Sequence, residues 1–398
     1  MTPATDTRTR TRTGRSLLLV WLAWLWLMAG ANMATALYDG YASRFGFSSL
    51  VLTLVFATYA ALLVPSLLLF GRLSDRFGRR PVMLTGLAAA VLGLVLFAAA
   101  QGTGWLFAAR ALQGLAVGLI SGPATAALVE LDPDGPPGRP ALLAGWAQAG
   151  GSGLGPLVAG ALVQWGPMPW HLTYLLGAVG TLLTAVGIAT VPEATDRSEE
   201  PWRVQRPRVP EEIRSAFARV TLTAAVCWAS VGISLSVVPR YAGALLHTDD
   251  VALLALVAAV GLAASCVSQA LGQRWTDRSA AQSTGLLLLC AGLVVLAAGS
   301  RTGWLPVLLT SSVVVGLGHG LAVLAAQADL NDMAPAQRRG EVTAAFICGI
   351  YALLGTTVTG IGALASAVAF PTAVAAVAGC LALVALAAAA WHRIAGRP

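Results

Sequence analysis

An all-α polytopic membrane protein, with twelve transmembrane helices in two pseudo-symmetric six-helix bundles, is expected from this sequence. The expectation rests on composition, on recurring apolar runs and on where the arginines fall. Hydrophobic residues make up 57% of the 398 and charged residues only 11%, against about 25% charged in soluble domains. So little charge cannot cover a surface in water, and the mean hydropathy of +0.74 says the same. Apolar runs long enough to cross a bilayer recur along almost the whole chain, and arginines gather on alternate connections between them.

From the N-terminus, residues 1–16 form a polar arm carrying Arg8, Arg10, Arg12 and Arg15. The apolar run behind it is too long for the core of a signal peptide and is followed by further runs, which makes it a first span. A helix crossing ~30 Å of hydrocarbon needs ~20 residues. That ruler places spans near 17–37, 50–70, 82–101, 105–128, 141–164 and 171–191, then near 220–242, 250–271, 283–300, 304–326, 342–364 and 370–391. Runs of this length are helices, not barrel strands. The expected domains are an N-terminal bundle over 17–191, a charged linker over 192–218, a C-terminal bundle over 219–391 and a tail over 392–398.

The arginines orient this string of helices. With the N-terminus in the cytoplasm, 21 of the 25 arginines fall on inside segments, three (Arg44, Arg240, Arg301) outside, and one (Arg110) within a span. Such a split follows the positive-inside rule and places both termini and the linker in the cytoplasm, in a cell or plasma membrane. The +7 net charge then points to anionic lipid head groups and not to nucleic acid. Trp105, Trp165, Trp170, Trp304 and Trp391 fall at span ends, where tryptophan anchors helices at the interface. The five cysteines are dispersed through apolar runs and predict neither a disulfide framework nor a metal site.

One gap-free shift of 202 residues relates the halves. It carries Asp75-Arg76 onto Asp277-Arg278, Gly114 onto Gly316, Gly118 onto Gly320, Gly153 onto Gly355 and Gly160 onto Gly362. Parallel repeats of this kind suit a transporter whose site lies between two halves.

The most informative segment is GRLSDRFGRRPVM, residues 71–83, between spans 2 and 3. Gly71 allows close helix packing, Asp75 is a lone carboxylate among Arg72, Arg76, Arg79 and Arg80, Gly78 supports a turn, and Pro81 can begin a helix. A merely basic loop explains the arginines but not the aspartate or the glycine spacing. This loop resembles the signature loop of the major facilitator superfamily, of form G-x-L-x-D-R-x-G-R-R. The resemblance implies that Asp75 helps hold one conformation at the interface between halves. The copy at Asp277 and Arg278 has lost the later glycine and the double arginine.

Two further stretches extend the resemblance. RALQGLAVG from Arg110 is similar to the family's fourth-helix motif, in which an arginine precedes Gln-Gly. A cation within a span faces a cavity or a partner, or snorkels to the nearer interface; both readings of Arg110 stand. GGSGLGPLVAG from Gly150 matches, at Gly151, Gly155 and Pro156, part of the glycine-proline motif of drug:proton antiporters, and departs from it at Leu142 and Ala159. These small residues also make a helix-packing face with a proline bend.

In the family the first and fourth helices of each half line the cavity. Here they offer the polar residues Asn32, Arg110, Gln113, Ser230, Ser234, Ser311, Ser312 and His319, and aromatic or soft walls are expected from Trp26, Met33 and Trp228 with Tyr59 and Tyr351 of spans 2 and 11. Proton coupling requires a group that takes up and releases a proton. Asp39, just after span 1, and His319, deep in span 10, are the candidates; a solvated aspartate and a helix-bridging imidazole are the plainer readings. The expected function is proton-coupled efflux of a drug or antibiotic-like small molecule by alternating access. Uptake or exchange of a metabolite such as a sugar or organic acid is the alternative. Nucleotide-loop, zinc-hydrolase and serine-elbow motifs are missing from the sequence, so an enzyme is not expected, nor a cofactor, and a monomer is expected.

Overall fold

A computed structural model describes residues 4–70, 73–133, 135–136, 138–193, 207–236, 238–299, 304–335 and 338–395. Twelve long helices account for the predicted spans: α1 (Ala4–Met33), α3 (Ser49–Phe70), α5 (Arg79–Ala98), α6 (Thr103–Glu130), α7 (Arg139–Trp165) and α8 (Pro169–Ala189) in the first half. The second half has α9 (Arg214–Ser236), α11 (Val251–Gly272), α12 (Arg278–Gly299), α13 (Leu305–Met333), α14 (Arg339–Leu364) and α15 (Phe370–Ala395). Three short helices lie between them: α2 (Tyr38–Phe45), α4 (Leu73–Phe77) and α10 (Val238–Leu246). Eleven of the long helices are apolar enough to cross a membrane by composition. The twelfth, α7, is rich in glycine, but its 27 residues at 1.5 Å each reach about 40 Å.

The structure departs from the expected elements in the arm and in two spans. The polar arm is helical from Ala4 and continuous with the first span. Spans 1 and 7 are not single rods: α1 gives way to a 3-10 turn at Ala34–Leu37 before α2, and α9 is followed by α10. Trp170, in the first turn of α8, packs on Tyr41, ring centroids 4.9 Å apart, and lies beside Arg44. Trp165 and Trp304 are exposed at helix ends. Gly71 and most of the linker lie outside the described residues.

The outer faces of the bundle are apolar. On α8, Leu175, Val179, Leu182, Leu183 and Val186 are each about half exposed or more, a face that only lipid would solvate. Within the first half α6 packs on α3 and α5, and α1 on α7 and α8; within the second, α13 packs on α11 and α12, and α9 on α14. Two seams join the halves, α7 with α11 and α3 with α14.

The 202-residue shift is a packing rule as well as a sequence match. A Cβ at Gly114 would stand 2.3 Å from the Tyr59 carbonyl of α3, and one at Gly316 would stand 1.8 Å from the Gly261 carbonyl of α11. Both glycines therefore let the fourth span of a half touch the backbone of the second. The seams repeat the same logic: Gly160 faces Ala255 across α7–α11, and Gly362 faces Thr53 across α14–α3.

Candidate functional site

Three groups of candidate side chains can be built from their helices upward. The first is the signature loop. Gly78 holds φ +98° at the start of α5, a conformation that L side chains rarely adopt. This turn delivers Arg79 as a hub. Its Nη1 donates to Asp75 Oδ1 at 2.5 Å and to Ser74 Oγ at 2.6 Å. Its Nη2 donates to Glu130 Oε1 of α6 at 3.0 Å. Glu193, just past α8, accepts the backbone N–H of Arg79 at 2.5 Å and of Arg80 at 3.3 Å. That carboxylate satisfies orphan donors at a helix N-terminus, where the dipole favours negative charge. Arg76 is exposed and lies over the Phe77 ring.

The second copy is wired differently. Asp277 Oδ1 accepts from Ala280 N at 3.0 Å, capping α12. Arg278 pairs with Asp332 and, at 3.4 Å, with Asp329. Glu130 maps onto Asp332 under the 202-residue shift. The carboxylate at the end of the fourth span is thus kept in both halves, while its arginine comes from a different turn.

The second group surrounds Arg110. The side chain is only 2% exposed, so it points inward and does not snorkel to an interface. Its Nε donates to Tyr38 Oη at 2.5 Å, and its Nη1 donates to the Ala31 carbonyl at 2.6 Å and to Gln113 Oε1 at 2.8 Å. Gln113 donates to the Gly30 carbonyl at 3.2 Å. Tyr38, Phe56, Tyr59 and Phe97 place their rings 5.2–5.9 Å from the guanidinium carbon, a cation–π enclosure. Arg110 Nη2 is buried without a hydrogen-bond partner. Gly30 and Ala31 sit one turn before the 3-10 segment that begins at Ala34, so α6 grips α1 where its helix changes type. Asn32 beside them donates to the Met28 carbonyl and to Ser152 Oγ of α7. Asp39 is exposed in the first turn of α2.

The third group centres on His319, buried in α13. Its Nδ1 is 2.8 Å from Ser265 Oγ of α11, and Ser265 also accepts from Gln269 Nε2 at 3.2 Å. Trp228 of α9 meets the imidazole edge-on, 5.4 Å between centroids. His319 Nε2 is buried without a partner. Ser230 and Ser234 donate to carbonyls four residues back in α9 itself, those of Val226 and Ser230, whereas Ser311 of α13 donates across to the Gly292 carbonyl of α12 and ties the two helices together.

The glycine-proline stretch is a helix contact. A Cβ at Gly151 would lie 2.3 Å from the Leu25 carbonyl, and one at Gly155 would lie 2.1 Å from the Ala29 carbonyl. Both residues press α7 onto α1, with Pro156 buried one step further along. Sequence reasoning named Arg79, Arg110 and His319 but missed Glu193, Tyr38, Ser265 and Gln269. Glu193 falls within the charged linker over 192–218 with nothing to set it apart, and the others carry no motif.

A family model described as Major Facilitator Superfamily matches residues 17–358. The chain is 34% identical over 128 residues to the puromycin resistance protein pur8 of Streptomyces alboniger, covering 32% of this chain and 25% of that one. It is 33% identical over 147 residues to the multidrug efflux pump LfrA of Mycolicibacterium smegmatis, covering 36% and 29%. It thus spans less than a third of the length of these curated relatives. The crystal structure of the human organic anion transporter MFSD10 (TETRAN) superposes with a TM-score of 0.73 over 96% of this chain and 99% of that chain, at 16% identity, a likeness of fold alone.

Proposed function

The chain belongs to the major facilitator superfamily, and we propose that it exports a small apolar or cationic molecule in exchange for protons, by alternating access. The observation that carries this reading is Arg110, a buried cation held by a hydroxyl, a backbone carbonyl and an amide oxygen. An intramembrane charge is costly and is kept for function. Here it is bonded to the segment of α1 where the helix changes type, so any displacement of its charge acts on a cavity-lining span. The drug-related names of two relatives support a drug or antibiotic-like substrate. The glycine contact of α7 on α1 supports the antiporter reading. Under it the bundles over 17–191 and 219–391 are the moving bodies, and both termini lie in the cytoplasm. His319 is then the group in the C-terminal half that exchanges the proton.

A second reading has its own observation. Arg110 Nη2 has no partner, and a guanidinium edge suits a substrate carboxylate, which would make the chain an exchanger of organic acids. A susceptibility panel in a pump-deficient host, including puromycin and lipophilic cations, separates the two. Export predicts raised resistance that an uncoupler removes and that Arg110→Ala abolishes. Resistance unchanged by both treatments, with counterflow of a carboxylate in vesicles, would favour the second reading and refute the first.

A further inference from the structure

An apolar groove of about 420 Å³ runs along the α7–α11 seam, lined by Trp21 and Leu25 of α1, Trp146 and Gly150 of α7, and Cys266 and Leu271 of α11 among others. Val267 and Leu271 on its α11 side are exposed, so the groove opens on a face that lipid would solvate. Its walls are pinned, since Trp146 Nε1 donates to the Cys266 carbonyl at 2.9 Å. Nothing in the transport reading uses it.

Its charged end says what fits. Arg139 lies seven residues before Trp146 on α7, and Arg274 lies seven residues after Val267, another lining residue of α11. Seven residues are close to two helical turns, so Arg139, at the start of α7, returns to the groove's stripe about 10 Å further along, while Arg274 stands in the turn two residues past the end of α11. The turn that extends α11 is closed by Arg274 N–H on the Leu271 carbonyl. Gln273 Nε2 donates to the Gly138 carbonyl at 3.4 Å, so the residues just before Arg139 and Arg274 are bridged and both arginines stand at one level. Arg274 is exposed, and Arg139 shares one nitrogen with Asp132 at 3.1 Å while its side chain is 47% exposed. An apolar slot with two arginines beyond its end, on the arginine-rich side of the bundle, matches the charge pattern of a lipid amphiphile.

We infer that this groove binds an anionic phospholipid of the cytoplasmic leaflet, one acyl chain lying between α1, α7 and α11 and the phosphate on Arg274 and Arg139. A basic site at the membrane surface favours such head groups. The acyl chain lies along a joint between the halves, so a movement that opens this seam must shift the bound lipid.

Gly150 supplies a clean test. A Cβ there would have only ordinary contacts, 3.8 Å from Cys266 Sγ and 3.9 Å from a Leu25 methyl. Gly150→Leu therefore finds room for its Cβ and carries its branched end into the groove that Gly150 lines. The full-length protein is equilibrated in nanodiscs of equal phosphatidylglycerol and phosphatidylcholine and read by native mass spectrometry. The expected result is one retained phosphatidylglycerol on wild type, and none on Gly150→Leu at an unchanged melting temperature. Arg274→Gln should lose about fivefold of the preference for phosphatidylglycerol over phosphatidylcholine. Equal retention by wild type and Gly150→Leu overturns the proposal. So does a dimer mass that Gly150→Leu dissolves, which would assign the groove to a second copy, or a transported compound found in place of lipid. If Gly150→Leu melts early, Trp146→Ala and Arg274→Gln decide: head-group preference unchanged in both removes the site.

Discussion

Removing the Arg110 side chain would strand a backbone carbonyl, an amide oxygen and a tyrosine hydroxyl, each costing about 1–3 kcal/mol when buried unpaired. Arg110→Lys keeps the charge but not the fork that reaches Tyr38, Ala31 and Gln113 together. It should lower transport roughly tenfold or more, about 1.4 kcal/mol, while surface expression persists; near-normal efflux in the lysine variant would show that charge alone suffices. His319 is a second case. His319→Asn leaves Ser265 a polar neighbour but no titratable ring. Gradient-driven export should then fall by roughly tenfold while counterflow continues, and equal retention of both would assign the imidazole to helix bridging. Glu193→Gln replaces the capping charge on α5. A loss of about 1 kcal/mol is expected, read as a melting point lower by about 1 °C, and no shift would mean that the Arg79 hub holds the loop alone.

Among the helices, the contact of α1 with α7 is set by small residues. Gly155 brings α7 so near Ala29 that a methyl group there would overlap a backbone carbonyl, and packed interiors do not yield to such overlap. Gly150, on the same helix, has room for a side chain. Gly155→Leu should therefore fail to give a monodisperse peak in detergent chromatography, whereas Gly150→Leu should elute normally. Folded protein from Gly155→Leu would mean that the two helices can separate without loss. The broken first span has its explanation in a neighbouring helix too, because α6 supplies Arg110 and Gln113 to the carbonyls of Ala31 and Gly30.

Across the molecule, the two seams are equivalent under the internal repeat. Thr53 and Gly362 meet across α3 and α14, with a Cβ at Gly362 placed 3.4 Å from Thr53 Cβ, near the separation a disulfide spans. Thr53→Cys with Gly362→Cys, in a background without the five native cysteines, should crosslink under mild oxidant. Transport should stop and return with reductant. Crosslinking that leaves transport intact would show that this seam need not part during the cycle, against a rocking of the halves.

Twelve spans, two related halves and the residues of the signature loop were already legible in the order of amino acids. Lipid as solvent imposes long apolar runs, and a duplicated fold repeats its glycines and its loop aspartate at a constant offset. Arg110 and His319 were legible too, because a polar group inside an apolar run is conspicuous. Whether Arg110 snorkels or turns inward was not, and its burial settled that. Nor could the bonding partners be read ahead of the fold. Tyr38 and Arg110 stand 72 residues apart, Ser265 and His319 stand 54 apart, and Glu193 reaches back 114 residues to cap α5. Such pairings depend on how helices lie against one another, and helix packing is fixed by surfaces from distant parts of the chain that no local pattern records.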